Sequence, residues 1–190
     1  MKIDLEGQVA IVTGSGRGLG RTHAMALAER GAKVIVNDLA VDGSISENAQ
    51  SVVDEILNNG GEALANGANV ADFDQVQAMI MQAMDAWGRI DILVNNAGIL
   101  RDKTFLKMTP EDMRKVVDVH LMGSMYCAKA VWEIMREQAY GRIVFTSSSS
   151  GLYGNFGQTN YGAAKMAMVG MMNTLHLEGM KYNIKVNCLA

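Results

Sequence analysis

The chain has 190 residues, 49% of them apolar and 19% charged, which suits one soluble globular domain with a substantial core. A net charge of −3 without any basic run gives no support to nucleic-acid or anionic-membrane binding, and no apolar stretch is long enough to span a bilayer. The opening Met1-Lys-Ile-Asp-Leu-Glu6 lacks the apolar core of a secretion signal, and Cys127 and Cys188 show no metal-ligand spacing, so both read as reduced packing residues of a protein that is not secreted.

Val9–Val12 is a short apolar run that ends in Thr13-Gly-Ser-Gly-Arg-Gly-Leu-Gly20. A helical pattern follows (Leu19, Ala24, Leu27, Ala28) and stops at Gly31. Strand, glycine turn and helix in this order open a dinucleotide-binding unit: glycines let the backbone approach a pyrophosphate, and the helix start offers unpaired N–H groups. Gly14, Ser15, Gly16, Arg17, Gly18, Leu19 and Gly20 are therefore nucleotide-contact candidates. Lys33–Asp38 is the second strand, and Asp38 at its end is placed to accept hydrogen bonds from the adenosine ribose. Its charge repels a 2′-phosphate, which favours NAD over NADP; Arg17 argues the other way, with less weight because a flexible side chain can face solvent. The alternative for Asp38 is a strand-end residue capping the next turn.

A polar helix over about Glu47–Asn58 ends at Asn59-Gly-Gly61, and a weak strand lies near Ala63–Asn66. Asn69 and Val70 follow in a loop and join the nucleotide-contact candidates. Asp72 and Gln75 have capping-box spacing for a helix that runs to Trp87. Ile90–Val94 is a third strongly apolar strand, followed at once by Asn95-Asn-Ala-Gly98, where small residues let a cofactor pass over the sheet edge. Asn96, Ala97 and Gly98 are candidates there, and Asn95 is expected to tie strand ends together. Thr109-Pro-Glu-Asp112 starts a long helix expected to run to about Gln138, with Thr as cap and Pro in the first turn. Gly141–Thr146 is the next strand, Ser147–Ser150 a turn, and Ile184–Asn187 the start of a sixth strand. Alternating strands and helices require a parallel sheet, doubly wound with helices on both faces. The methionines, fifteen in all and mainly in helices, read as core or interface filler.

Within the helix expected up to about Gly179, Tyr161 and Lys165 are four residues apart and share a face. A free phenol titrates near ~10, so acid–base work near neutrality needs a shift of roughly 3 units, about 4 kcal/mol, part of which an adjacent ammonium can supply. Tyr-x-x-x-Lys alone also occurs on ordinary solvated helices. What precedes it makes the pair specific.

Thr-Gly-x-x-x-Gly-x-Gly, then Asn-Asn-Ala-Gly, then a serine thirteen residues before Tyr-x-x-x-Lys resembles the short-chain dehydrogenase/reductase superfamily over the whole chain. The resemblance implies a Rossmann-like α/β fold, catalytic Ser148, Tyr161 and Lys165, and Tyr161 and Lys165 as cofactor contacts as well. Ser148 and Tyr161 would touch the substrate, whereas Ser147, Ser149 and Ser150 are left as turn formers. His120 stands where most of the superfamily carries a catalytic Asn; it either holds a water that relays protons to Lys165 or simply packs. Val36-Asn-Asp-Leu39, Asn95–Asp102, Val119-His-Leu121 and Leu152–Gly157 resemble the subgroup of (3R)-hydroxyacyl-CoA dehydrogenase modules found in peroxisomal multifunctional enzymes of type 2 and in bacterial relatives. That subgroup implies NAD as cofactor, an acyl-CoA-like substrate, a homodimer or homotetramer through the helices around 112–138 and 160–179, and a cytoplasmic location in bacteria or a peroxisomal one in eukaryotes. A 3-oxoacyl-carrier-protein reductase is the alternative within the class, and a non-catalytic dinucleotide-binding fragment the alternative outside it. The family's pattern continues past Asn187 into a substrate loop, a helix and a seventh strand, so residues 1–190 are expected to be a single domain cut short before them.

Overall fold

The computed structural model describes residues 3–40 and 44–190, so Met1 and Lys2 of the N-terminal reading lie outside the described residues. Six strands, β1 (Val9–Val12), β2 (Lys33–Asn37), β3 (Ala63–Asn66), β4 (Ile92–Asn95), β5 (Gly141–Thr146) and β6 (Ile184–Leu189), form one sheet in the order β3-β2-β1-β4-β5-β6. Every pair is parallel, with Val12 beside both Val36 and Val94. Strand order reverses between β1 and β4, and their carboxyl ends open the crevice where doubly wound sheets take their ligands.

Alternation in the strands sends side chains to two cores. Val9, Ile11, Ile35, Leu93, Ile143, Phe145 and Val186 pack on one face against α3 (Phe73–Trp87), α5 (Gly123–Glu137) and α7 (Thr159–Gly179). Ala10, Val12, Val34, Val36, Ile92 and Val94 pack on the other against α1 (Gly18–Ala28) and α2 (Glu47–Asn58). No helix among the described residues is long and apolar enough to cross a membrane.

Local signals set the boundaries. Ser46 caps α2 by accepting from the Ala49 amide, and Gly60 and Gly88 take positive φ where the chain leaves α2 and α3. At α3 the Asp72 carboxylate accepts from the Asp74 and Gln75 amides, but the Gln75 side chain turns back to the Asn69 amide and the Asp72 carboxylate instead of closing a capping box. Thr109 and Asp112 do close one at α4 (Pro110–Val117), where Lys103 and the Thr109 hydroxyl hold the Asp112 carboxyl down at about 2.

Several expectations shift. The long helix from Thr109 to Gln138 is two α-helices joined by a turn of π-helix at Asp118–Met122, within which His120 is buried. The third apolar strand begins at Ile92, and the buried Asp91 carboxylate just before it accepts from the Val9 amide and pairs with Arg89. Asp38 sits just past the end of β2. Met79, Met108, Met135 and Met168 are buried as filler, whereas Met81, Met125, Met166 and Met180 face outward, and Leu19 lies exposed instead of in the core of its helix.

Candidate active site

A cleft of about 350 Å³ lies at the carboxyl ends of β1, β2, β4 and β5, lined by Gly14, Arg17, Leu19, Asp38, Asn96, Gly98, Ile99, Leu100, His120, Thr146, Tyr161 and Lys165.

One wall is the glycine turn. Gly14 and Gly18 have φ of +61° and +56°, a conformation that L side chains rarely adopt. A methyl group on Gly20 would stand 2.2 Å from the Gly14 carbonyl, and one on Gly14 2.7 Å from the Ala97 Cα, so the turn closes tightly on the segment after β4. Asn96 locks that contact by donating from Nδ2 to the Thr13 and Gly14 carbonyls, while the Thr13 hydroxyl accepts from the Asn96 and Ala97 amides. The tie expected of Asn95 is thus made by Asn96; Asn95 is buried, and its Nδ2 finds no partner. Arg17 sits at the N-cap of α1 without a side-chain cap, and the first turn has no acid, which leaves amide donors and a positive dipole facing the cleft. The Asp38 carboxylate sits against Gly16 and accepts from the Gly16 and Leu39 amides; burial raises its pKa, while the Arg17 charge and these bonds oppose the rise. These features fit a dinucleotide: open N–H groups for a pyrophosphate, and a strand-end carboxylate with spare acceptor capacity for ribose hydroxyls. Ser15 turns away from the cleft, its hydroxyl bonded to the Val12 and Asn37 carbonyls. Asn69 and Val70 do not line the cleft: Asn69 accepts from the Ala71 amide, and Val70 is buried against Gly123.

The opposite wall is made of side chains. Lys165 is 4% exposed; its ammonium donates to the Thr146 carbonyl at 2.5 Å and lies 5.4 Å from the centre of the Tyr161 ring. Burial lowers the lysine to about 8. Ser147, expected only to form a turn, donates its hydroxyl to the Lys165 carbonyl at 2.8 Å and braces that helix from inside. Asn160, buried beside Tyr161, donates to the Arg101 and Asp112 carbonyls and accepts from the Tyr161 amide, which fixes the start of the helix against α4. His120 is 3% exposed, meets the Tyr161 ring edge-on at 5.2 Å, and is lowered to about 4 by burial and then by the Lys165 charge. Ser148 is not among the lining residues. It caps the short α6 (Ser149–Tyr153), its oxygen accepting from the Ser150 amide at 3.1 Å, which leaves the hydroxyl proton free to donate.

Thr13, Thr146, Ser147 and Asn160 are positioning residues that sequence reading did not place in the site. Thr13 had a signal, a hydroxyl at the last position before the glycine turn; the others depend on contacts between elements far apart in the chain.

An all-parallel sheet wound in this order, with its crevice at the switch point, makes the domain Rossmann-like. The sequence pattern of the family described as short chain dehydrogenase matches residues 8–190, and the chain belongs to that family of oxidoreductases, which use nicotinamide cofactors. It is 51% identical over 192 residues to a peroxisomal multifunctional enzyme type 2 of Drosophila melanogaster, covering 99% of this chain and 32% of that protein. It is 51% identical over 190 residues to a putative short-chain type dehydrogenase/reductase of Mycobacterium tuberculosis, covering 98% of this chain and 66% of that one. The crystal structure of a short chain dehydrogenase from Mycobacterium avium superposes with a TM-score of 0.93 at 44% identity, over 98% of this chain and 68% of that one. The chain thus spans a third to two thirds of the length of these relatives.

Proposed function

We propose that the chain is the dinucleotide-binding and catalytic domain of an NAD-dependent dehydrogenase acting on (3R)-3-hydroxyacyl-CoA thioesters, reversibly giving the 3-oxoacyl thioester. The observation that carries the reading is the buried Lys165 ammonium beside the Tyr161 ring, in one cleft with Asp38. The substrate class draws on the resemblance of the chain to multifunctional enzymes of type 2.

Each residue has a part in that reading. The Gly16–Gly20 amides would take the pyrophosphate and Asp38 the adenosine ribose, while Asn96, Ala97 and Gly98 make the shelf under the nicotinamide end. A bound nicotinamide supplies the acceptor or donor of hydride; the protein supplies alignment and proton handling. In oxidation the Tyr161 oxygen takes the hydroxyl proton as the C3–H bond breaks and the C3–O bond becomes a carbonyl; in reduction the phenol returns that proton. The Ser148 hydroxyl donates to the same substrate oxygen and orients it. The Lys165 ammonium, beside the Tyr161 ring, can bind the ribose hydroxyls of the nicotinamide half. The helices α5 and α7 leave an apolar groove of about 430 Å³ lined by Met125, Trp132, Met171 and Leu175, which suits a homodimer or homotetramer. Location follows the relatives: peroxisomal in a eukaryote, cytoplasmic in a bacterium.

The test uses the full-length protein with a panel of (3R)-3-hydroxyacyl-CoA chain lengths and either NAD+ or NADP+. Stereospecific reduction of NAD+ is expected, and Tyr161→Phe should lower kcat by about 10²–10⁴-fold while leaving nucleotide binding intact. Full activity in that variant would sink the acid–base assignment. A second reading, a 3-oxoacyl-carrier-protein reductase using NADPH, is favoured by one observation, the Arg17 charge beside Asp38. Preference for NADPH and for a carrier-protein thioester over the CoA thioester would select it.

A further inference from the structure

Three side-chain amides form one hydrogen-bonded line at the carboxyl ends of β2 and β3. Asn37, the last residue of β2, is 1% exposed; its Nδ2 donates to the Asn66 Oδ1 at 2.9 Å and to the Ala68 carbonyl at 3.0 Å. Asn66, its register partner at the end of β3, donates from Nδ2 to the Gln82 Oε1 at 2.8 Å. Gln82, on α3, donates in turn to the Ala65 carbonyl, and the Ala68 amide donates to the Asn66 Oδ1. Backbone groups fix the direction of the line: a reversed Asn66 amide would set Nδ2 against the Ala68 N–H, and a reversed Gln82 would set its oxygen against the Ala65 carbonyl. Asn37 also holds the glycine turn, its own carbonyl accepting from the Ser15 amide at 2.7 Å and from the Ser15 hydroxyl. On the far side the Asp38 amide donates to the Asn66 carbonyl, and a methyl group on Gly67 would collide with the Ser44 carbonyl of the loop beyond Asp38. One buried residue therefore ties together the two segments that flank Asp38, although neither it nor Gln82 lines the cleft.

We infer that Asn37 is a specificity-determining positioning residue: its side chain holds the Asn66–Ala68 segment, and with it the place of the Asp38 carboxylate against Gly16, without touching the nucleotide. The inference rests on the reading of this end of the cleft as an adenosine-ribose site. Discrimination is a difference between two affinities, and a carboxylate free to swing separates a hydroxyl from a phosphate less well than a fixed one. A line of amides that only holds the fold together makes the opposite prediction, lower stability with unchanged discrimination. Leu has the branching and nearly the size of Asn, adds no charge beside Asp38 and donates nothing. Gln82→Met cuts only the outer link, from a partly exposed position on α3.

The full-length protein and its Asn37→Leu and Gln82→Met variants are titrated by calorimetry with ADP-ribose and with ADP-ribose 2′-phosphate. Both probes lack the nicotinamide, so they read the adenosine end apart from the chemistry. The preference for ADP-ribose should fall about tenfold in Asn37→Leu, which loses two hydrogen bonds, and about threefold in Gln82→Met, which loses the outer ones. The double variant should fall little further than Asn37→Leu, because both cuts act on one network. With (3R)-3-hydroxydecanoyl-CoA, KM for NAD+ should rise in Asn37→Leu while kcat at saturating NAD+ stays within about twofold of the wild type. Wild-type preference in a folded Asn37→Leu, whatever its thermal midpoint, would overturn the inference and leave the amides as ties of the fold. If Asn37→Leu does not fold, Gln82→Met decides, and an unchanged preference there overturns the inference equally. A wild type that binds neither probe would remove the dinucleotide reading and the role of Asn37 with it. The expected loss of preference in a protein that oxidises no 3-hydroxyacyl-CoA would uphold the role of Asn37 and remove the substrate reading alone.

Discussion

The wall of the cleft at the ends of β1 and β2 is built from backbone; the wall beneath α7 is built from side chains. Around Gly14–Gly20 the sheet edge is shaped by what is missing, since methyl groups at Gly14 or Gly20 would collide with Ala97 or with the Gly14 carbonyl. Around Tyr161 it is shaped by what has been buried: an ammonium, an imidazole and the amide of Asn160, each held by a carbonyl or amide from another element. A backbone wall is cheap to fold and hard to alter, because every substitution adds atoms. A side-chain wall carries charge in a dry place, so it stores instability that chemistry can use.

The largest expected effect tests that last point. Lys165→Met should lower kcat by about 10²–10⁴-fold, since it removes the charge that supports proton transfer at Tyr161. Stability should move the other way or not at all. The folded-state value of about 8 lies below the ordinary 10.5. Folding therefore disfavours the protonated lysine by about 3 kcal/mol, felt in full below pH 8 and relieved as pH rises from 8 to 10.5. Thermal melts at pH 7 should show Lys165→Met level with or above wild type. A marked fall would mean that the bond to Thr146 outweighs the burial of the charge, and that the two walls are alike.

His120 extends the contrast into acid. It is lowered from 6.5 to about 4, so the unfolded chain takes up its proton first as pH falls. The native state keeps its full advantage above pH 6.5 and loses about 3 kcal/mol as pH falls to about 4. Urea unfolding at pH 7.0, 5.5 and 4.5 measures the slope, and His120→Gln should flatten it. On the backbone wall the corresponding change is smaller and falls on binding instead of stability. Asp38→Asn removes the carboxylate charge but leaves Arg17, so the ratio of KM values for NAD+ and NADP+ should shift about tenfold toward NADP+, near 1.4 kcal/mol. An unchanged ratio would show that Asp38 only caps the turn it bonds through Gly16 and Leu39.

The same contrast explains what could be read from residues alone. The glycine turn, Asp38, and the bounds of α2, β3, β5 and α7 are local: Ser46 caps α2, and the Gly60 positive-φ turn ends it within a few residues of the periodic pattern that each serves. The six parallel strands follow from alternation of apolar runs with helices. The π-turn did not show: the partner of the one side chain it buries, His120, is the Ile99 backbone 21 positions back. Nor did the division of labour between Asn95 and Asn96, two identical side chains whose roles depend on which one faces Thr13. Ser148 was reached through the family's spacing; its place at the N-cap of α6, with a free hydroxyl proton, came only with the fold.

The smallest effect is a control for the whole comparison, because it lies on a local signal with no charge buried in it. Thr109 accepts from the Asp112 amide at 3.1 Å, and the Asp112 carboxylate accepts in return from the Thr109 amide and hydroxyl and from Lys103. Thr109→Ala breaks the box and should cost about 1 kcal/mol of stability, read from the urea midpoint. Its reach toward chemistry is indirect: the Asp112 carbonyl accepts from Asn160, whose oxygen holds the Tyr161 amide. If α4 keeps its place once uncapped, kcat stays at the wild-type value and stability alone changes. A parallel loss in kcat would mean that the side-chain wall leans on this helix start, and that Tyr161 is positioned from the Thr109 end of α4.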